Sequence, residues 1–177
     1  MADAPIRVLV WDDNPAHTPK DIYPANIRGA IAGALQATGG GVFEVRATHI
    51  DAPSQGITPA DLETTDVLIW WGNMRHDEVS DELAERIRER VHTKGLGFIA
   101  LHSAHYARPF KRVLGCTGHL KGGWREDCKA EHIRVCAPEH PIARGIVDLT
   151  LAHEEAYGAP FEVPPAQAVI FQSHFPA

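Results

Sequence analysis

The sequence lacks a basic stripe, a Cys-x-x-Cys pair and any apolar run near the ~20 residues that span a bilayer. With a formal charge of −6 and its acidic and basic residues interspersed, it has no electrostatic footprint for a phosphate backbone or an anionic lipid surface. Nucleic acid and membranes are therefore not expected partners. Cys116, Cys128 and Cys136 are odd in number, which excludes a paired secretory disulfide framework. The N-terminus has no basic segment followed by an apolar run of the signal-peptide kind, so a cytoplasmic protein with reduced thiols is expected. Repeats, low-complexity tracts and a credible internal boundary are also lacking. At 177 residues the chain can bury a core without staples, and a single domain over 1–177 is the expectation.

What the sequence has is an alternation of apolar runs and helical patterns. Ile6 to Trp11 reads as a strand that ends in the polar Asp12-Asp13-Asn14-Pro15. Pro24 opens a helix to about Thr38, with Ile27, Ile31 and Leu35 at helical spacing, and Gly39-Gly40-Gly41 stops it. Val42 to Thr48 alternates like a strand, Thr58-Pro59 is a helix cap with proline at the first position, and Val67 to Trp71 is a continuous apolar strand. Ser80 caps a helix with Leu83, Ile87 and Val91 on one face. Gly97 to Leu101 is again apolar. Strands that are apolar throughout and alternate with helices predict a parallel sheet covered on both faces. After about Gly115 the pattern loosens into expected loops, with strands suggested only near His132–Val135 and at Val169–Gln172.

The chain is also rich in histidine, with eleven. In open parallel sheets, ligands bind beyond the carboxyl ends of the strands, and three strand-end loops here are polar. They are Asp12-Asp13-Asn14 with His17, Gly72-Asn73-Met74-Arg75-His76-Asp77-Glu78, and His102-Ser103-Ala104-His105. At the third, a sharp strand-to-helix turn would present Ser103 as a nucleophile beside an imidazole base, or else Ser103 is a helix N-cap. His102 and His105, three apart, can bind a divalent metal such as zinc with Glu126, Glu131, Glu154 or Glu155. The alternative is that one imidazole bonds a loop while the other lines the pocket. Trp124 and Arg125 can offer an indole and a guanidinium to a hydroxyl-rich ligand, or form a surface loop. Glu154-Glu155 stands beside Tyr157, and one carboxylate of the pair suits acid/base work.

Taken in order, Trp70-Trp71-Gly72 with His76-Asp77-Glu78-Val79, Leu101 to His105, Pro109 to Arg112, Trp124-Arg125-Glu126, His140-Pro141-Ile142 and Glu154-Glu155 with Tyr157-Gly158 resemble the ThuA trehalose-utilisation family over nearly the whole chain. The resemblance implies the flavodoxin-like three-layer sandwich of class I glutamine amidotransferases. The place of their cysteine nucleophile is held by His102-Ser103, so glutamine hydrolysis is not implied. It also implies sugar catabolism, on trehalose-like disaccharides or their keto derivatives. Asn73 and Arg28 stand where relatives typically have His, and Ala156 where they have Met. Relatives continue past Phe175 with a Pro-Gly-His-Glu-Thr-type motif and a closing strand and helix that this sequence does not carry.

Two expectations follow. One is a hydrolase or isomerase with His102, His105, Ser103 and Glu155 as catalytic candidates, and Asn14, His17, Asn73, His76, Trp124, Arg125 and Tyr157 binding a small sugar. The other is a non-catalytic relative that binds a sugar or partner and self-associates as a homo-oligomer through an exposed apolar edge.

Overall fold

The computed structural model describes residues 4–175. They form two compact units, one ending at Thr117 and one beginning at Gly118.

The first unit is a flavodoxin-like α/β sandwich. Its four strands are β1 (Ile6–Asp12), β2 (Phe43–His49), β3 (Val67–Gly72) and β4 (Gly97–His102), all parallel in the order β2-β1-β3-β4. β1 and β3, in the middle of the sheet, are apolar on both sides because both of their faces are covered. On one face Val8, Val10 and Ile69 pack with Ala32, Ile31 and Leu35 of α1 (Asn26–Thr38). On the other, Leu9, Trp11, Leu68 and Trp70 pack with Leu62 of α2 (Pro59–Thr64) and with Leu83 and Ile87 of α3 (Asp81–Lys94). Each such aliphatic side chain contributes roughly 1.5–3 kcal/mol on full burial. Trp11 and Trp70, on adjacent strands, stack with centroids 3.6 Å apart, and the Trp11 indole N–H donates to Gln55 O at 2.8 Å.

Local chemistry sets the ends of the helices. Thr58 and Asp61 form a reciprocal capping box at α2. The Ser80 hydroxyl accepts from Leu83 N at 3.2 Å at the start of α3, and Gly95 at φ 73° ends it in the left-handed conformation. Helix α1 begins two residues after Pro24, at Asn26. A short 3-10 turn, Ser103–Tyr106, leads from β4 into α4 (Arg108–Leu114).

The second unit corrects the expectation of loops. It is a three-stranded antiparallel sheet of β5 (Trp124–Val135), β6 (Leu149–Tyr157) and β7 (Phe171–His174), ordered β6-β5-β7. The final strand starts two residues later than Val169. Strand β5 runs twelve residues, but Glu126, Asp127, Lys129, Glu131 and Arg134 deny it an apolar face. Its register also slips between Arg125 and Lys129 and between Lys129 and Glu131, with Cys128 at φ 54°. Such bulges erase the period-2 signature that reveals a strand in sequence. Gly122 and Gly158 face each other so closely that a Cβ on either would overlap the backbone of the other.

Candidate functional site

The strand order reverses between β1 and β3, since the chain moves from β1 outward to β2 and then returns to β3 on the other side. Ligand crevices in open α/β sheets open at such a switch point. Here a pocket of about 260 Å³ is lined by Asp13, Asn14, Pro15, Ala16, His17, Asn73, Met74 and Arg75. It therefore draws on two of the three loops singled out by their polarity. A larger groove of about 620 Å³ borders α3 and α4, but its Arg108 and Arg112 are paired with Asp81, and its Arg88 with Glu85.

The first loop is built on two buried carboxylates. Asp12, fully buried, accepts from Arg28 Nη1 at 2.6 Å, from Arg28 N at 3.1 Å and from Asn14 N at 2.9 Å. Asn14, at φ 51°, accepts from Asn26 Nδ2 at 2.7 Å and donates to Asp51 at 2.7 Å. The bond from Asn14, and after it one from Arg75 Nη1 at 2.8 Å, hold the Asp51 carboxyl below its ordinary range. Asp13 is 2% exposed, and its Oδ2 accepts from three successive backbone N–H groups, of Asn73, Met74 and Arg75, at 2.8 to 3.1 Å. One carboxylate thus fixes the whole start of the second loop to the first. The Asp-Asp doublet at a strand end was the signal for Asp13, which the sequence reasoning did not single out as a site residue.

In the second loop, Asn73 Nδ2 donates to His17 Nε2 at 3.3 Å, while Asn73 Oδ1 accepts from His102 Nε2 at 3.3 Å. The structure therefore brings together His17, Asn73 and His102, from three different strand ends. His76 is inserted behind them. Burial, ahead of every other influence, pushes its imidazole below the ordinary histidine value, against the pull of the Asp13 charge. Gly72 makes room for it, because a Cβ there would lie 3.1 Å from the His76 ring and 3.2 Å from Ala104 Cα.

At the third loop the elbow exists, and the residue at its strained position is His102, with φ 58° and ψ −134°. This backbone is costly for any residue but glycine, by roughly 1–3 kcal/mol. It projects the exposed imidazole over Trp71, with ring centroids 5.0 Å apart and planes within 9°. Trp71 is a second site residue that the sequence reasoning passed over, since it reads as one more apolar strand position. Ser103 is 8% exposed, and its hydroxyl lies 3.0 Å from Gly72 O, 2.9 Å from Asn73 O and 3.3 Å from His76 Nε2. It stitches the elbow to the end of β3. The N-cap of the 3-10 turn is His102, with no side-chain cap bond, so the capping role foreseen for Ser103 is not the one it has.

His105 is buried, with its ring 4.1 Å from that of Tyr106, whereas His102 is exposed on Trp71. The two imidazoles sit in different surroundings. Among the described residues no group of three or more His, Cys, Asp or Glu side chains is arranged to hold a metal ion.

The remaining candidates belong to the second unit and are described within it. Trp124 is 56% exposed and lies opposite Tyr157 across the β5–β6 ladder. Arg125 pairs with Asp127 at 3.1 Å and lies over the Phe175 ring. Strand alternation sends Glu154 and Glu155 to opposite faces. Glu155 accepts from the Tyr157 hydroxyl at 2.8 Å, while Glu154 stands opposite Lys129. Burial, then the bond to Glu155, pushes the Tyr157 phenol well above its ordinary value.

The parallel sandwich, with its pocket at the switch point and an elbow at the end of β4, defines an α/β protein of the flavodoxin-like class. The family model for ThuA, described as trehalose utilisation, matches residues 7–177, through both compact units, and the chain belongs to that family. Its general role is thereby trehalose utilisation. No curated protein matches the chain. None of the described helices is long and apolar enough to cross a membrane.

Proposed function

We propose that the protein binds the keto derivative of a trehalose-like disaccharide in the pocket between the β1 and β3 loops and transfers a proton beside the keto group. The observation that carries this reading is the His17–Asn73–His102 chain at the mouth of β1, β3 and β4. Two imidazoles joined by an amide suit an enolisation. His102 takes the proton from the carbon next to the carbonyl, the C–H electron pair becomes the new C=C bond, and the carbonyl π pair moves to oxygen. A His17 N–H donates a hydrogen bond to that oxygen. Returning the proton from His102 regenerates a ketone, so the step needs no oxidant or reductant. The apolar Pro15, Ala16 and Met74 in the same lining suit the CH face of a sugar. The net negative charge fits a neutral sugar rather than nucleic acid or a membrane.

The test is deuterium uptake from heavy water at the carbon beside the carbonyl of keto-trehalose, followed by NMR. His17→Ala and His102→Ala are each expected to slow it by about 100-fold. Exchange unchanged in both variants refutes the reading.

A second reading, association of two copies, is favoured by β4. It ends the order of the parallel sheet, carries no Lys, Arg, Asp or Glu, and leaves Ile99 46% exposed, whereas the opposite edge strand β2 bears Glu44 and Arg46. Charged residues are what keep an edge strand from pairing with another chain. Light scattering is expected to give twice the chain mass, and Ile99→Lys to return it to one. A wild-type monomer at millimolar concentration ends this reading.

A further inference from the structure

We propose that Asn73 is a positioning residue that locks His17 and His102 into opposite tautomers, so that the two imidazoles differ in which ring nitrogen carries the proton. The argument starts from the chemistry of the amide. Its oxygen only accepts and its nitrogen only donates. Oδ1 faces His102 Nε2 and Nδ2 faces His17 Nε2, each at 3.3 Å. His102 must therefore carry its proton on Nε2, which leaves Nδ1 as its basic nitrogen. His17 must leave Nε2 unprotonated, which puts its proton on Nδ1. Turning the amide over would exchange the two assignments, but the pair would still be opposite. A single bridging amide is incompatible with two identical neutral imidazoles.

Asn73 is held firmly enough to impose this choice. Its backbone N–H donates to the buried Asp13 carboxylate at 2.9 Å, and its carbonyl lies 2.9 Å from the Ser103 hydroxyl. The residue is thus fastened to the β1 loop on one side and to the β4 elbow on the other, which are the two segments that carry its imidazole partners. His102 is itself restrained by its backbone at φ 58° and by stacking on Trp71. The rings are presented by two strand ends, those of β1 and β4, and Asn73, after β3, is the part common to both. A carboxylate at 73 would not do the same work: it accepts at both ends and would draw an N–H from each ring.

The catalytic consequence rests on the proton-transfer reading above, whereas the tautomers are measurable without any substrate. With ¹⁵N-labelled histidine and long-range ¹H–¹⁵N correlation at about pH 8, above the ordinary imidazole pKa of ~6.5, the wild-type protein is expected to show His17 as the Nδ1–H form and His102 as the Nε2–H form. In Asn73→Asp, His17 is expected to change to Nε2–H while His102 stays as it was. In Asn73→Ala, both are expected to relax to a mixture. Equal tautomers in the wild type, or no change at His17 in Asn73→Asp, overturns the proposal. In the deuterium-uptake assay, Asn73→Ala is expected to lower kcat about tenfold with KM nearly unchanged, as for a residue that acts through another. If no keto-sugar exchanges in the wild type but the tautomers are opposite, the proton-transfer function falls and the positioning role of Asn73 stands.

Discussion

Arg28→Met tests the base on which the pocket stands. The Asp12 side chain is fully buried and that of Arg28 is 16% exposed, with Nη1 to Oδ1 at 2.6 Å. Methionine keeps the aliphatic stem of Arg28 and its backbone N–H bond to Asp12 Oδ2, and the Asn14 N–H bond also remains. What disappears is the paired charge, together with the Nη1 contact to Asn14 Oδ1 at 3.1 Å. Removing one partner of a buried ion pair costs roughly 3–5 kcal/mol, and the two surviving backbone bonds place this case near ~3 kcal/mol. For a chain of this size ~3 kcal/mol lowers Tm by roughly 6–12 °C. Urea unfolding followed by tryptophan fluorescence isolates the effect, because Trp11 and Trp70 are stacked in the core of the first unit. Asp12→Asn in the Arg28→Met background should restore part of the loss, since a neutral amide needs no counter-ion, although its single oxygen can accept from only one of the two backbone N–H groups that bond Oδ1 and Oδ2. A loss below ~1 kcal/mol in Arg28→Met, or no recovery in the double variant, refutes the argument that a buried charge is being compensated.

Three further outcomes are expected. His76 has a folded pKa below its unfolded value, mainly through burial, so the unfolded state binds the proton more tightly; the resulting stability is present above ~6.5 and is lost as pH falls through that value. His76→Gln should flatten the decline in Tm between about pH 7 and 5, and an unaltered decline contradicts the assignment. Tyr157 is shifted upward by burial and by Glu155, so its contribution is present below ~10 and lost as pH rises above that; ultraviolet titration should show one of the three tyrosines ionising late, and earlier in Glu155→Gln. His102→Gly relieves a backbone strain of roughly 1–3 kcal/mol at the expense of the Trp71 stacking, worth ~0.5–1.5 kcal/mol, so urea unfolding should report a variant about 1 kcal/mol more stable, and the keto-sugar exchange assay one that is inactive.

The parallel sandwich was legible because β1 and β3 are buried on both faces and, with β4, read as unbroken apolar runs, while Thr58 and Ser80 mark helix starts by local chemistry that tertiary context did not override. The second sheet was hidden for the converse reason. Strand β6 is exposed along most of its length, and β5 carries a charged residue at nearly every second step and is bulged at Cys128, so neither hydrophobic alternation nor a run betrays it. Its strands are defined by the ladder they form with each other, which is non-local information. The same distinction divides the site. The polar loops could be found one at a time, because each follows an apolar strand. That Asn73 reaches both His17 and His102 depends on the order β1-β3-β4, which places the loop after β3 between the other two.

That order also changes the sense of the His-Ser-Ala-His cluster. Spacing alone puts His102 and His105 forward as a pair and Ser103 as the reactive group. The positive φ at His102 separates them: it sends one imidazole outward over Trp71, turns the Ser103 hydroxyl back toward the carbonyls of Gly72 and Asn73, and leaves His105 beneath against Tyr106. A strained elbow is worth keeping only if the side chain it displays is used, since glycine would hold the same turn at lower cost. The strain falls on His102 rather than on its two neighbours, and the partner its imidazole meets is Asn73.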